Sequence, residues 1–275
     1  MRVNLGAWRS LTCSAVGVRL LISSNCVLGQ GLPEPDFVQY GVVRNVTSNA
    51  NVALVYGTLT WVFVPVGGGS QITTAVTLTN LNKQYCYLMR MRCESEVGGL
   101  VASSNALKLA ATPTAYNRSL VTWNGQPMTF VQPTLTTLTL SAADRGRVER
   151  VDLDVAAPYG DSDNNGLIDD WERFYFGRVG VDPDEDDDHD GMSNAAESAA
   201  GTDPTDGSSA LRFIRITKHA QGGYLLEWQS ATNRMYALQQ TAELGGAFAD
   251  VRTAIASTPP VNTFWDSNAP SIGPT

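Results

Sequence analysis

The sequences DSDNNGLIDDWE, residues 161–172, and DDDHDGMSNAAE, residues 186–197, follow one pattern and begin 25 residues apart. Each has Asp at position 1, Asp or Asn at positions 3 and 5, Gly at position 6 and Glu at position 12. Side chains at positions 1, 3 and 5 of such a loop direct their oxygen atoms to one centre, and the Gly allows the sharp turn between them. The repeat therefore predicts two loops, each with a ring of oxygen atoms suited to a cation.

The expected ligands are oxygen atoms only, which is the preference of calcium. A backbone carbonyl is expected at position 7, a water-mediated contact at position 9 and a bidentate carboxylate at position 12. The candidate metal ligands are Asp161, Asp163, Asn165, Leu167, Asp169 and Glu172 in the first loop, and Asp186, Asp188, Asp190, Met192, Asn194 and Glu197 in the second. We expect two Ca²⁺ ions as the cofactors, one in each loop.

The charge of the chain is concentrated around these loops. Residues 161–206 hold 15 Asp or Glu against two Arg, whereas the rest of the chain holds 17 basic and 12 acidic residues. Carboxylates about 4 Å apart repel by roughly 4 kcal/mol per pair at an effective dielectric constant near 20. A disordered acidic linker is the alternative, but two complete matches to the loop pattern disfavour it. A basic stripe with interleaved aromatics is missing from the sequence, which excludes nucleic acid as a partner.

The loops have a family resemblance. Residues 161–172 and 186–197, followed by Gly-Thr-Asp-Pro at 201–204, resemble the EF-hand-like bacterial thrombospondin type 3 repeats and are similar to dockerins. The Gly-Thr-Asp-Pro ending and the Trp-Glu pair favour the thrombospondin-type repeat. Dockerins usually have Asp at position 12 and hydroxylated residues at positions 10 and 11, where this chain has Asp170-Trp171 and Ala195-Ala196.

Short helices are expected after each loop, over residues 169–175 and 193–199. The aromatic residues Trp171, Phe174 and Tyr175 are expected to form a small core there, rather than a ligand-binding surface. Residues 157–208 together would form the calcium-binding segment.

Residues 35–156 are predicted to form a β-sandwich, because short β-prone runs alternate with turn formers such as Asn124-Gly125. Residues 40–43 and 57–61 weakly resemble immunoglobulin-like or transthyretin-like modules of secreted bacterial proteins. The predicted strands are 37–44, 53–64, 72–79, 84–93, 106–109, 120–123, 128–131, 135–140 and 147–155.

Residues 209–275 resemble a small β module that follows calcium repeats in secreted bacterial proteins. The predicted strands are 211–217, 224–229, 235–240, 251–255 and 261–265. We expect this module to be incomplete, because a further strand would follow residues 268–275. The predicted fold class is therefore mainly β, with a sandwich, a central pair of calcium loops with short helices, and a partial β module.

Residues 1–30 have the outline of an export signal, with Arg2 and Arg9 before apolar runs at 11–18 and 20–22. We therefore expect a secreted or cell-surface protein. The alternative is a start site upstream of the true one, followed by disordered residues. A run of about 20 apolar residues is missing, so a membrane span is not expected. Cys86 and Cys93 are placed too far apart along one strand for a disulfide and are expected to be buried free thiols.

Catalysis is not expected. His189 lies within the second loop and His219 in a turn, and neither has a neighbouring group in the sequence that suggests a catalytic triad. The acidic pairs Glu94/Glu96 and Asp152/Asp154 are interpreted as exposed faces of strands.

Our first hypothesis is thus a non-catalytic, structural or adhesion-type extracellular protein in which two Ca²⁺ ions rigidify the connector between β domains. The alternative is a dockerin-like or glycan-binding recognition module of an extracellular polysaccharide-degrading system, with another extracellular protein or a glycan as its partner. A third hypothesis, an enzyme of extracellular polymers, requires a pocket with converging carboxylates in the first domain.

Overall fold

A computed structural model describes residues 8–12, 19–23, 31–47, 52–96, 100–132, 136–241, 243 and 245–268. The chain is mainly β, as predicted, and the described residues include two α-helices. It divides into two compact units. Unit 1 contains the described residues of Met1–Val42, Gly57–Leu78 and Tyr87–Leu153, and unit 2 contains those of Val43–Tyr56, Thr79–Cys86 and Asp154–Thr275.

The first two strands, β1 (Trp8–Thr12) and β2 (Arg19–Ser23), pair antiparallel. The remainder of the predicted export signal, residues 1–7, 13–18 and 24–30, lies outside the described residues.

The strands that follow are distributed between two sheets. They are β3 (Leu32–Gly41), β4 (Val43–Asn45), β5 (Thr58–Pro65), β6 (Ile72–Thr77), β7 (Tyr87–Ser95), β8 (Leu107–Leu109), β9 (Thr114–Trp123), β10 (Gln126–Gln132), β11 (Thr137–Leu140), β12 (Val148–Arg150) and β13 (Asp152–Val155). A 3₁₀ helix, Ala142–Asp144, separates β11 from β12.

Unit 1 contains strands of two sheets. One has the order β12-β3-β7-β8, with β3 and β7 antiparallel and each outer strand parallel to its neighbour. The other runs β13-β10-β9-β5-β6, with β11 also paired to β9. Strands β5 and β7 bury alternate side chains, as expected for strands with one face in a core. Trp61 of β5 stacks on Phe63, with ring centroids 5.8 Å apart. The assignment to an immunoglobulin-like or transthyretin-like sandwich stays a prediction.

Several predicted strands in this region were wrong in their bounds, and three of them show the reason most clearly. The predicted strand 53–64 begins only at Thr58, because Gly57 adopts a φ of 84° and leaves no room for a side chain beside Trp123. The predicted strands 37–44 and 147–155 are each divided in two, at Val42 and Val151. The two buried thiols were predicted correctly, since neither Cys86 nor Cys93 forms a disulfide and both are buried.

Unit 2 contains both helices, α1 (Asp169–Phe176) and α2 (Asn194–Ala200), within one residue of the predicted bounds. Each ends at a glycine in the left-handed conformation, Gly177 with φ 71° and Gly201 with φ 79°. A small core is present, but its members differ from the prediction: Trp171 is buried with Leu167 and Val181, Tyr175 is only partly buried against them, and Phe174 is not part of this cluster.

The five strands predicted near the C-terminus are all present in unit 2. They are β14 (Phe213–Lys218), β15 (Tyr224–Gln229), β16 (Met235–Gln240), β17 (Ala249–Ala256) and β18 (Val261–Asp266). They form a sheet in the order β14-β15-β18 and an antiparallel β16-β17 pair. Residues 269–275, which bear on the expected incompleteness of the module, lie outside the described residues.

Candidate metal centre

The two acidic loops have the same backbone shape. Position 4 is left-handed in both, with φ 60° at Asn164 and φ 63° at His189. Position 6 is a glycine of positive φ in both, with φ 91° at Gly166 and φ 96° at Gly191. Gly adopts a positive φ at little steric cost, so the shared Gly accounts for the shared turn at position 6.

Hydrogen bonds close the first loop around its leading carboxylate. Asp161 accepts from the backbone N–H of Asn165 at 3.0 Å and of Gly166 at 2.8 Å. The side-chain oxygen of Asn165 accepts from the N–H of Leu167 at 2.7 Å. The Gly166 N–H is the largest factor that holds the pKa of Asp161 below its ordinary value. Asp161 is thus ionised and oriented by its own loop.

The second loop repeats this network. Asp186 accepts from the N–H of Asp190 at 3.2 Å and of Gly191 at 3.0 Å. Asp190 accepts from the N–H of Met192 at 2.8 Å, as Asn165 does from Leu167. The same three bonds at the same loop positions define two copies of one structural unit.

Asp186, Asp188 and Asp190 converge. Each offers a carboxylate oxygen, and these oxygens lie within 4.8 Å of one another. In the described part of the chain this is the one group of three or more acidic, His or Cys side chains placed closely enough to hold a metal ion. The predicted ligands Asp161, Asp163 and Glu172 do not form such a group.

Glu197 lies on α2 and is fully buried, and neither of its carboxylate oxygens accepts a hydrogen bond. Burial raises the pKa of Glu197 to about 7, and the negative charges of Asp188 and Asp190 add to the rise. The Thr202 hydroxyl lowers this pKa in part, although its geometry falls short of a hydrogen bond. A buried carboxylate without partners is unfavourable unless a cation compensates it.

Asn194, the predicted ligand at position 9, is also fully buried. Its amide nitrogen donates to the carbonyl of Asp182 at 2.8 Å and to the carboxylate of Asp187 at 2.7 Å. Its side-chain oxygen has no hydrogen-bond partner. The nitrogen contacts fix the orientation of the amide and leave the oxygen available for a water molecule or a cation.

In the first loop, by contrast, protein groups already satisfy much of the ligand set. One oxygen of Glu172 accepts from the N–H of Val181 at 2.8 Å and from the amide of Asn165 at 3.2 Å. The other oxygen of Glu172 is buried without a partner. Asp169 accepts from the N–H of Ser162 at 2.7 Å and pairs with Arg173 at 2.9 Å, so both of its oxygens are engaged.

The residues at position 7 were predicted to contribute backbone carbonyls, and their side chains have other contacts. Leu167 packs with Trp171 and Val181 in the small core. The sulfur of Met192 accepts from the N–H of Leu211 at 3.2 Å.

The sequence did not predict a further set of residues, which are distant in the sequence but bind the loop segment directly. The Tyr56 hydroxyl donates to Asp170 at 2.7 Å, and the Asn80 amide donates to the carbonyl of Phe174 at 2.8 Å. Lys83 pairs with Asp203 at 2.6 Å. The one available signal was weak: the turn around residue 80 was predicted, but its partners lie about a hundred residues away in the sequence.

Comparison with family models, curated proteins and solved structures found no match for this chain. Across the described residues, no helix combines the length and apolar character that a membrane crossing requires. The geometry of the loops therefore carries the functional argument.

Proposed function

We propose that this chain is a non-catalytic, structural calcium-binding protein of the extracellular adhesion type, with one Ca²⁺ in each acidic loop. The observation that carries the proposal is the second loop. There the fully buried Glu197, with both oxygens unpartnered, follows a cluster of three converging Asp carboxylates. A bound cation would compensate both the buried charge and the repulsion within the cluster.

The chemistry of the candidate ligands favours calcium among the common cations. The twelve predicted ligands include neither Cys nor His, which zinc usually takes in proteins. Magnesium requires a near-ideal octahedron and keeps several waters, whereas calcium accepts carboxylates, carbonyls and a bidentate Glu in a flexible shell of six to eight oxygens. The repeated loop shape supports the EF-hand-like, thrombospondin-type interpretation.

A structural role is supported by the contacts that join the loop segment to other parts of unit 2. Tyr56 and Asn80 both hydrogen-bond to α1, and Lys83 pairs with Asp203 just after α2. Arg234, between β15 and β16, donates to the carbonyl of Ser198 at 3.0 Å. Ions in the two loops would therefore order the acidic segment and, through these contacts, other parts of unit 2.

An extracellular location agrees with this proposal, because calcium reaches millimolar concentrations outside cells and weak EF-hand-type sites are filled there. The export signal predicted for residues 1–30 and the sandwich assignment belong to the same proposal.

The test is calorimetric titration of the chelator-treated protein with calcium, paired with thermal melting. We expect binding of two ions and a rise in melting temperature that EDTA reverses. The matched variants are Asp186→Asn, which removes a ligand, and Asp184→Asn, which removes an exposed charge two residues away. The proposal is wrong if several millimolar calcium gives neither heat nor stabilisation, or if both variants behave alike.

A further inference from the structure

We infer that the two loops are unequal, and that the second loop is the primary calcium site, filled first, while the first loop is a secondary site. This inference rests on the proposed function and specifies the order in which the sites fill.

The two loops differ in the number of their buried oxygen atoms without hydrogen-bond partners. Among the candidate ligands of the second loop, such atoms occur on Asp188, Asp190, Asn194 and both oxygens of Glu197. Among those of the first loop, one such atom occurs, on Glu172. A ligand oxygen that no protein group compensates gains most from a cation, so the second loop gains more free energy on binding.

The two loops also differ in charge. Each loop has four candidate carboxylates, which in the second loop are Asp186, Asp188, Asp190 and Glu197. The first loop has the neutral amide of Asn165 at position 5, and its carboxylate at position 9, Asp169, is paired with Arg173 at 2.9 Å, so its net negative charge is lower. Calcium affinity in such loops rises with the number of charged ligands, so this difference also favours the second loop.

An opposing effect is preorganisation, which favours the first loop. Glu172 is already positioned by Val181 and Asn165, so it loses less freedom when an ion binds. The second loop, however, is not loose at the corresponding points. Its position-12 carboxylate is fully buried on α2, and the amide of Asn194 is held by two hydrogen bonds. The greater charge of the second loop therefore decides the order.

The experiment compares isothermal titrations of the full chain at pH 8 for wild type, Glu172→Gln and Glu197→Gln. We expect two steps in the wild type, separated by about tenfold or more in dissociation constant. Glu197→Gln should remove the tight step, and Glu172→Gln should remove the weak step and leave the tight one within about twofold.

A second matched pair, Asp163→Asn and Asp188→Asn at position 3 of the two loops, gives an independent measurement if a Gln variant fails to fold. The inference is overturned if the two wild-type steps have the same affinity, or if the first-loop variants remove the tight step. Absence of calcium binding in the wild type would instead disprove the proposed function, so the two failures are distinguishable.

Discussion

Glu197 is a fully buried carboxylate whose two oxygens have no hydrogen-bond partner, and a bound cation would compensate its charge. Its pKa is raised from the ordinary 4.5 to about 7 by burial, so the folded protein prefers the protonated form. Without calcium, this carboxyl costs no stability below its ordinary pKa of 4.5; the loss of stability grows as the pH rises from there through about 7 and is complete above it.

Glu197→Gln should therefore stabilise the calcium-free protein at pH 8 by about 1–3 kcal/mol, because a neutral amide replaces an uncompensated buried charge. The same variant should lose most of the stabilisation that calcium gives the wild type. Thermal melts with EDTA and with calcium measure both effects. A variant that is less stable than wild type in EDTA would show that the carboxylate is compensated by the protein.

The glycine at position 6 provides a second test at the residue scale. Gly191 has a φ of 96°, and a Cβ added there would meet no atom within 4 Å. Gly191→Ala should therefore act through backbone strain alone, with a loss of about 1–2 kcal/mol in unfolding free energy. Gly160→Ala, also in open space but without a positive φ, is the matched control. Equal stability of the two variants would contradict the predicted strain.

At the scale of single residues, the sequence predicted the shape of the two loops but not the distant partners of their side chains. The contacts within each loop follow from fixed spacings, so they could be predicted. The bond from Val181 to Glu172 spans nine residues beyond the pattern, and that from Tyr56 to Asp170 spans 114. Such partners depend on tertiary packing, which a local pattern does not specify.

Among the elements, α1 illustrates how a short helix depends on packing. Its eight residues are too few for a stable isolated helix in water. Its buried Trp171 packs with Leu167 and Val181, and its ring lies 5.1 Å from that of Tyr175. The helix therefore forms because its apolar side is buried in this small core.

Trp171→Ala should lower the unfolding free energy of unit 2 by about 3–5 kcal/mol, as is typical for removal of a large buried aromatic. Denaturant unfolding monitored by circular dichroism measures this loss. Phe248→Ala, at a residue that is 64% exposed, serves as the control and should change stability by less than about 0.5 kcal/mol. Similar losses in both variants would contradict the importance of the Trp171 core.

Two of the predicted strands are each divided in two, and the hydrophobic pattern of the sequence did not predict these breaks. The apolar residues run on through Val42, yet its N–H donates to the side chain of Asp152 at 3.0 Å instead of continuing the strand. Likewise β9 begins at Thr114, whereas the predicted strand began at residue 120. Arg118 in the added part is buried and pairs with Glu149 at 2.8 Å. A buried Arg is uncommon, so the hydrophobic pattern did not include it in a strand.

At the scale of the whole molecule, the two buried thiols belong to different units: Cys93 to unit 1 and Cys86 to unit 2. A buried thiol reacts with a labelling reagent only after local opening, so its rate reports the stability of its surroundings. Burial also raises the pKa of Cys93 to about 11, which further slows its reaction.

Calcium removal should therefore accelerate labelling of Cys86 by about tenfold or more, while labelling of Cys93 changes by less than about twofold, because both acidic loops lie in unit 2. Mass spectrometry of labelled peptides, with and without EDTA, separates the two rates. Equal acceleration of both thiols would show that calcium stabilises the whole chain as a single cooperative unit.

The ion pair between Lys83 and Asp203 lies where a third loop would be joined to the second. Asp182-Pro183 leads from the first loop to the second, and Asp203-Pro204 is its counterpart after the second. Where a third loop would follow in a longer array, Asp203 instead accepts Lys83, which also lies 5.5 Å from the ring of Tyr175. A third loop transplanted after Pro204 would therefore have to displace the ion pair between Lys83 and Asp203.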